Sequence, residues 1–160
     1  MRQPFQVLVI PFIKKATNYQ FGVLLRSDAE VWQFVAGGGE DAESSTEAAI
    51  RESIEELKVS DTFKMYQLDS RAHIPSFHFA FEKPYVIPEF CFAIDLTSLS
   101  SEVELSLEHK ELKWLSYEAA SNILAWDSNK TALYELNERL KNNDMMVIKK
   151  TEFQSFLTRN

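Results

Sequence analysis

The sequence predicts a mixed α/β (α+β) fold, and three observations carry that expectation. Short apolar, β-branched runs alternate with longer segments of helical periodicity. Strand-like runs outnumber helical ones early in the chain. The 160 residues show no repeat, low-complexity tract or long linker, so a single domain over 1–160 is the simplest organisation.

The elements follow in order. Phe5 to Ile13 is an apolar run that reads as a buried strand. Gln20 to Leu25 and Val31 to Val35 read as two short strands, with Ser27-Asp28-Ala29-Glu30 as the hairpin turn between them. Three of the four glycines then fall together at Gly37-Gly38-Gly39. This reads as a loop, because glycine permits unusual backbone angles and close approach of a ligand. Ser44 and Glu47 form a capping box that opens a helix running to about Leu57, with Ala48, Ala49, Ile50, Ile54 and Leu57 as helix formers and apolar face. Phe63 to Ser70 and His73 to Phe81 read as two strands, Phe90 to Leu96 as a buried one and Glu111 to Leu115 as a short one. Tyr117 to Leu124 and Asn129 to Lys141 are helical, and Met145 to Ile148 fits a late strand.

Composition removes several function classes. Seventeen Lys and Arg against 24 Asp and Glu give a net charge of −7, which disfavours a nucleic-acid polymer as partner. The single cysteine, Cys91, excludes an internal disulfide, and its setting in Phe90-Cys91-Phe92-Ala93-Ile94 marks a buried strand position. The apolar stretch near the N-terminus is too short to span a membrane and lacks a small-residue cleavage site, so a cytoplasmic location is the default expectation.

The negative charge is not spread evenly. Glu40 to Glu56 holds seven acids and one base, a net −6, which leaves the remainder at −1. Glu52, Glu55 and Glu56 crowd one stretch of the predicted helix, where like charges repel. A solvated acidic face is the ordinary meaning of such a run. A divalent cation reverses the sign, since hard oxygen ligands suit Mg²⁺. Arg51 precedes the cluster and is placed to pair with a carboxylate such as Glu43.

The spacing decides between these readings. From Gly37 the chain runs glycine, five residues, Glu43, seven residues, Arg51-Glu52, two residues, Glu55-Glu56. This resembles the Nudix box, Gly-x5-Glu-x7-Arg-Glu-U-x-Glu-Glu-x-Gly-U, where U is a bulky aliphatic residue. Val59 fills the last position, giving a box over 37–59. Two positions depart: Ser53 stands for an aliphatic residue and Lys58 for the final glycine. The resemblance implies a mixed β-sheet between α-helices, with the box as loop–helix–loop. It also implies hydrolysis of a nucleoside diphosphate derivative with Mg²⁺ or Mn²⁺. By carry-over, Glu52 and Glu56 are metal ligands, Glu55 a ligand or close participant, and Arg51 and Glu43 orient the cluster.

A second resemblance lies outside the box. Leu107-Glu108-His109, Lys113-Trp114-Leu115 and Trp126-Asp127-Ser128-Asn129-Lys130 look like the C-terminal part of the dihydroneopterin triphosphate or dATP pyrophosphohydrolase branch, and Val31 to Gly37 looks like its strand into the box. The branch implies that Glu108 completes the metal site; the general base is left open between Glu108 and Glu55. It implies substrate contacts at Arg26, Ala36, Gly37, His78, Lys83, Trp126 and Asn129. Several have a plain alternative. Arg26 is a surface arginine, Trp126 a lid on the core, and Asn129 the cap of the helix that follows. Phe77, Phe79 and Phe81 read as inward-facing core residues. The expected partner is a small nucleoside or pterin triphosphate, cleaved to monophosphate and pyrophosphate, with no membrane and, for assembly, a homodimer. The alternatives are another Nudix substrate (a nucleotide sugar, a dinucleoside polyphosphate or an oxidised dNTP) or a non-catalytic binding module of the same fold.

Overall fold

The computed structural model describes residues 2–75 and 86–148. Alternation of apolar residues along the first strand organises everything else. Strand β1 (Arg2–Lys15) points Val7, Val9 and Ile13 into one hydrophobic core and Leu8, Ile10 and Phe12 into a second. Side chains on successive strand residues face opposite sides, so one strand buried on both faces feeds two cores.

Strand β2 (Asn18–Arg26) returns antiparallel to β1 and pairs on its other edge with β7 (His109–Leu115). Strands β3 (Trp32–Gln33) and β4 (Val35–Glu40) pair with β2 and β1 respectively. Strand β6 (Val86–Asp95) lies parallel to β1; β5 (Lys64–Pro75) is antiparallel to β6, and the two-residue β8 (Met146–Val147) pairs with β5. The result is a mixed eight-stranded sheet among the described residues.

Helix α1 (Ser45–Leu57) covers one face through Ala48, Ala49, Ile50 and Leu57. Helices α2 (Tyr117–Ile123) and α3 (Asp127–Lys141) cover the other through Ala120, Ala132, Leu133 and Leu136. Each fully buried aliphatic side chain contributes roughly 1.5–3 kcal/mol. This is the expected mixed sheet between helices. Cys91 is buried in the second core, and burial pushes its thiol pKa up, as an inert strand residue requires. No helix among the described residues is long and apolar enough to cross a membrane.

The structure corrects three expectations. The glycines are not a loop: Gly37, Gly38 and Gly39 lie in β4, paired with β1, and none has positive φ. Their role is space. A Cβ at Gly37 would run into the Glu52 carboxylate, and one at Gly38 into the Arg2 guanidinium. The two strands expected between Phe63 and Phe81 begin instead as one strand, β5. Its register shifts between Gln67 and Arg71, and Glu135 of α3 takes the Asp69 and Ser70 N–H groups at 2.7 Å each. A bulge leaves amides without ladder partners, and the local irregularity in the sequence reflects that bulge rather than a strand end. Finally, α3 starts two residues before Asn129, which is therefore not its cap. His78 and Lys83, with Phe77, Phe79 and Phe81, lie outside the described residues.

Candidate active site

The box helix is fixed at both ends by local chemistry. Ser44 Oγ accepts from Glu47 N–H at 3.2 Å and Ser44 N–H donates to Glu47 Oε2 at 2.9 Å, the reciprocal capping box. At the other end Lys58 takes the left-handed conformation, φ 52° and ψ 36°, and donates its N–H to Ile54 O at 2.9 Å. This is the position where the box pattern has glycine, and a side chain there costs about 1 kcal/mol. Ser53 is fully buried and donates its hydroxyl to Ala49 O at 2.7 Å, so the polar replacement of an aliphatic residue leaves no unsatisfied group.

Arg51 is the hub of the loop and helix. Its Nε donates to Glu43 Oε1 at 2.6 Å, Nη1 to Glu52 Oε1 at 3.0 Å and Glu55 Oε2 at 3.1 Å, and Nη2 to Gly38 O at 2.8 Å. Burial works against its charge, but these carboxylates outweigh burial and raise its pKa. Glu43 also accepts the Glu40 N–H at 2.9 Å, so Glu43 and Arg51 clamp β4 to α1. Glu55, with its side chain 57% exposed, is held on the outer side of this cluster.

Glu56 points the other way. It is 3% exposed, and its Oε2 has no hydrogen-bond partner. Burial first, then the charges of Glu52 and Glu108 and a hydrogen bond with the Glu108 carboxyl, push its pKa to about 9; the Ala36 N–H opposes this. Glu52 is raised to about 7, by burial foremost, with Arg51 opposing. Glu108 reaches Glu56 because its loop is tied down at several points. Ser106 N–H donates to Glu56 O at 3.3 Å, Glu104 N–H to Leu57 O at 3.0 Å, and Ser27 N–H to Glu108 O at 2.8 Å. Ser27 Oγ adds a bond to Leu107 O at 2.7 Å.

Glu56, Glu108, Ala36 and Gly37 line a cavity of about 990 Å³ whose other walls include Arg26, Trp126 and Asn129. Glu52 lines a second cavity of about 220 Å³ that shares Arg2 with the first. Arg26 is engaged by Asp28, Nε to Oδ1 at 2.8 Å and Nη2 to Oδ2 at 2.6 Å. Trp126 is 47% exposed and donates its Nε1–H to Gln33 Oε1 at 3.2 Å. Asn129 is buried, its Oδ1 accepting the Phe34 N–H at 3.1 Å, so it joins α3 to the chain between β3 and β4.

Among the cavity residues to which sequence reasoning gave no role are Arg2, Gln6, Glu89 and His109. His109 is 5% exposed with both ring nitrogens unpartnered, and Nδ1 lies 3.9 Å from Glu56 Oε2. Burial first, with Arg26 beside it, keeps its pKa below the ordinary value despite the Glu108 charge. His109 stands inside the quoted Leu107-Glu108-His109 run, which was the available signal. Gln6 and Glu89 had none, being 83 residues apart.

The carboxylates fit a hard divalent cation by donor type. Glu56 Oε2 is a buried carboxyl oxygen without a partner, and a nearby positive charge is what would favour the ionised forms of Glu52 and Glu56. They are not gathered as a finished cage: among the described residues no three His, Cys, Asp or Glu side chains form a metal-holding group. Arg51 occupies Glu52 and Glu55 instead.

Comparison with known proteins shows the family and the fold. The NUDIX domain family matches residues 7–136. A NUDIX hydrolase crystal structure from Listeria monocytogenes is 72% identical, covering 91% of this chain and 100% of that one, with a TM-score of 0.86. The E. coli dihydroneopterin triphosphate pyrophosphohydrolase is 22% identical over 85% of this chain and 97% of its own, TM-score 0.68. A C. elegans Ap4A hydrolase complex is 22% identical over 86% and 98%, TM-score 0.66. These last two share the fold. No match was found among curated proteins. The box residues, the sheet between helices and the match over most of the length lead to one conclusion: the chain belongs to the Nudix family and is a pyrophosphohydrolase acting on acid anhydrides.

Proposed function

We propose that the protein hydrolyses a nucleoside-triphosphate-like substrate, dihydroneopterin triphosphate or a dNTP such as dATP, to a monophosphate and pyrophosphate with Mg²⁺ or Mn²⁺. The observation that carries this reading is Glu56: a buried carboxyl with a partnerless oxygen, beside Glu108, in the wall of a cavity large enough for a nucleotide. Glu52, Glu56 and Glu108 would hold the ion. When bound, it supplies charge neutralisation along the anhydride and a lowered pKa for water.

The remaining residues position and shield. Arg51 and Glu43 hold the box helix against β4, and the Ala36 N–H orients Glu56. Glu108 lines the cavity while Glu55 faces Arg51 and solvent, which favours Glu108 as the proton acceptor. Trp126 covers a flat ring at the cavity wall, and Arg26 meets a phosphate once it exchanges Asp28 for that oxygen.

A panel of triphosphates, dinucleoside polyphosphates and nucleotide sugars with Mg²⁺, read by product identity, tests the reading. Pyrophosphate and a monophosphate from a triphosphate are expected. Turnover confined to nucleotide sugars or dinucleoside polyphosphates would replace the proposed substrate class, and no turnover on any would remove it.

A further inference from the structure

A relay of polar side chains, partly buried at Arg2 and Gln6 and fully buried at Glu89, lines the cavity on the sheet side, apart from the box carboxylates. Gln6 of β1 and Glu89 of β6 are paired in parallel register, and both line the cavity. Arg2 Nη2 donates to Gln6 Oε1 at 3.2 Å, and Gln6 Nε2 donates to Glu89 Oε2 at 3.0 Å. Arginine can only donate, so it fixes the Gln6 carbonyl toward Arg2 and the Gln6 amide toward Glu89. Direction along the relay is therefore set, and it ends on an acceptor. That acceptor is incomplete: Glu89 is 2% exposed, and its Oε1 has no hydrogen-bond partner. Among the described residues nothing accounts for a buried carboxyl held by one amide, and an unsatisfied buried acceptor is costly.

Asn129, on the helix side of the same cavity, supplies the opposite polarity. Its Oδ1 is used by the Phe34 N–H, and its amide reaches only Ser128 Oγ at 3.4 Å, leaving hydrogens to donate. The cavity thus offers a donor at Asn129 and a carboxylate at Glu89. A 2-amino-4-oxo pyrimidine edge, common to guanine and pterin rings, presents a carbonyl oxygen, a ring N–H and an amino group in sequence. The adjacent N–H and amino donors suit a carboxylate in the two-point manner that makes such pairs strong. An adenine edge presents an amino group beside a ring nitrogen acceptor, which a carboxylate repels.

We propose that Glu89 is a specificity-determining residue that accepts from the ring N–H and amino group of a 2-amino-4-oxo ring, selecting guanine-like or pterin-like substrates over adenine-like ones. This rests on the proposed triphosphate chemistry for its setting and narrows its substrate class. Burial holds the Glu89 pKa above its ordinary value, and two converging donors would restore the charged form.

Binding of nucleoside monophosphates to the full chain, measured calorimetrically, isolates ring recognition from anhydride hydrolysis. Guanosine monophosphate should bind roughly 5- to 150-fold more tightly than inosine monophosphate, which lacks the amino group, and than adenosine monophosphate. Glu89→Gln should level the guanosine and inosine affinities; should that variant not fold, Glu89→Asp, which withdraws the carboxylate, should do the same. Equal wild-type affinities within twofold, a preference that survives Glu89→Gln or Glu89→Asp in a folded protein, or no guanosine monophosphate binding at millimolar concentration would overturn the assignment. A preference for guanosine monophosphate in a protein that cleaves no triphosphate would leave Glu89 its role and remove the proposed reaction instead.

Discussion

Two glutamates on opposite faces of the same sheet have opposite fates. Glu135 on α3 accepts from the Asp69 and Ser70 N–H groups, the Ser70 hydroxyl and Arg139 Nε, all at 2.6–2.7 Å. Burial pushes its pKa up, but these bonds outweigh burial and the pKa falls below the ordinary value. Glu56 on α1 is buried with a partnerless oxygen and two neighbouring carboxylates, and its pKa rises to about 9. The first is a carboxylate the fold has satisfied; the second is one the fold leaves with a partnerless oxygen, as the proposed cation site would require. Structural and functional acids are told apart by their partners, not by burial or helix position.

The largest expected effect comes from breaking the unsatisfied side. Glu56→Gln should lower kcat by at least about 10³-fold, with a metal-free melting temperature no lower than wild type, because an isosteric amide removes a ligand charge without opening a cavity. Steady-state kinetics together with thermal denaturation read both halves. On the satisfied side, Glu135→Ala should cost about 2–3 kcal/mol in urea denaturation and change kcat little, since it strands the amides of the β5 bulge.

The pH dependence sharpens the same contrast. Glu135 has a depressed folded-state pKa, so its stabilisation is present above the unfolded value of about 4.5 and is lost as pH falls through the lower folded value. Glu135→Gln should therefore flatten the loss of stability below about pH 4.5, measured as the denaturation midpoint against pH. A Gln variant that unfolds in acid as steeply as wild type would deny Glu135 that role. The smallest effect belongs to the box helix end. Lys58→Gly should add up to about 1 kcal/mol in urea denaturation by relieving the left-handed conformation.

What was legible in the sequence follows from range. The capping box at Ser44 and Glu47, the bounds of α1 and the box spacing depend on neighbours a few residues apart, and these appear as expected. The glycines of β4 were misread because what they make room for, Glu52 and Arg2, comes from remote parts of the chain. The single strand β5 was split because its bulge is satisfied by Glu135, 65 residues away. Asn129 looked like a cap because Asn favours that position, yet its partner is Phe34 N–H, 95 residues off. The Arg2–Gln6–Glu89 relay had no local signature, since parallel pairing of β1 and β6 assembles it.

Direct titration of Mn²⁺ into the protein tests most cleanly the claim that Glu56 belongs to a cation site while Glu135 does not. Wild type and Glu135→Gln should bind with the same affinity, and Glu56→Gln at least 10-fold more weakly. Equal Mn²⁺ affinity in wild type and Glu56→Gln would contradict the account.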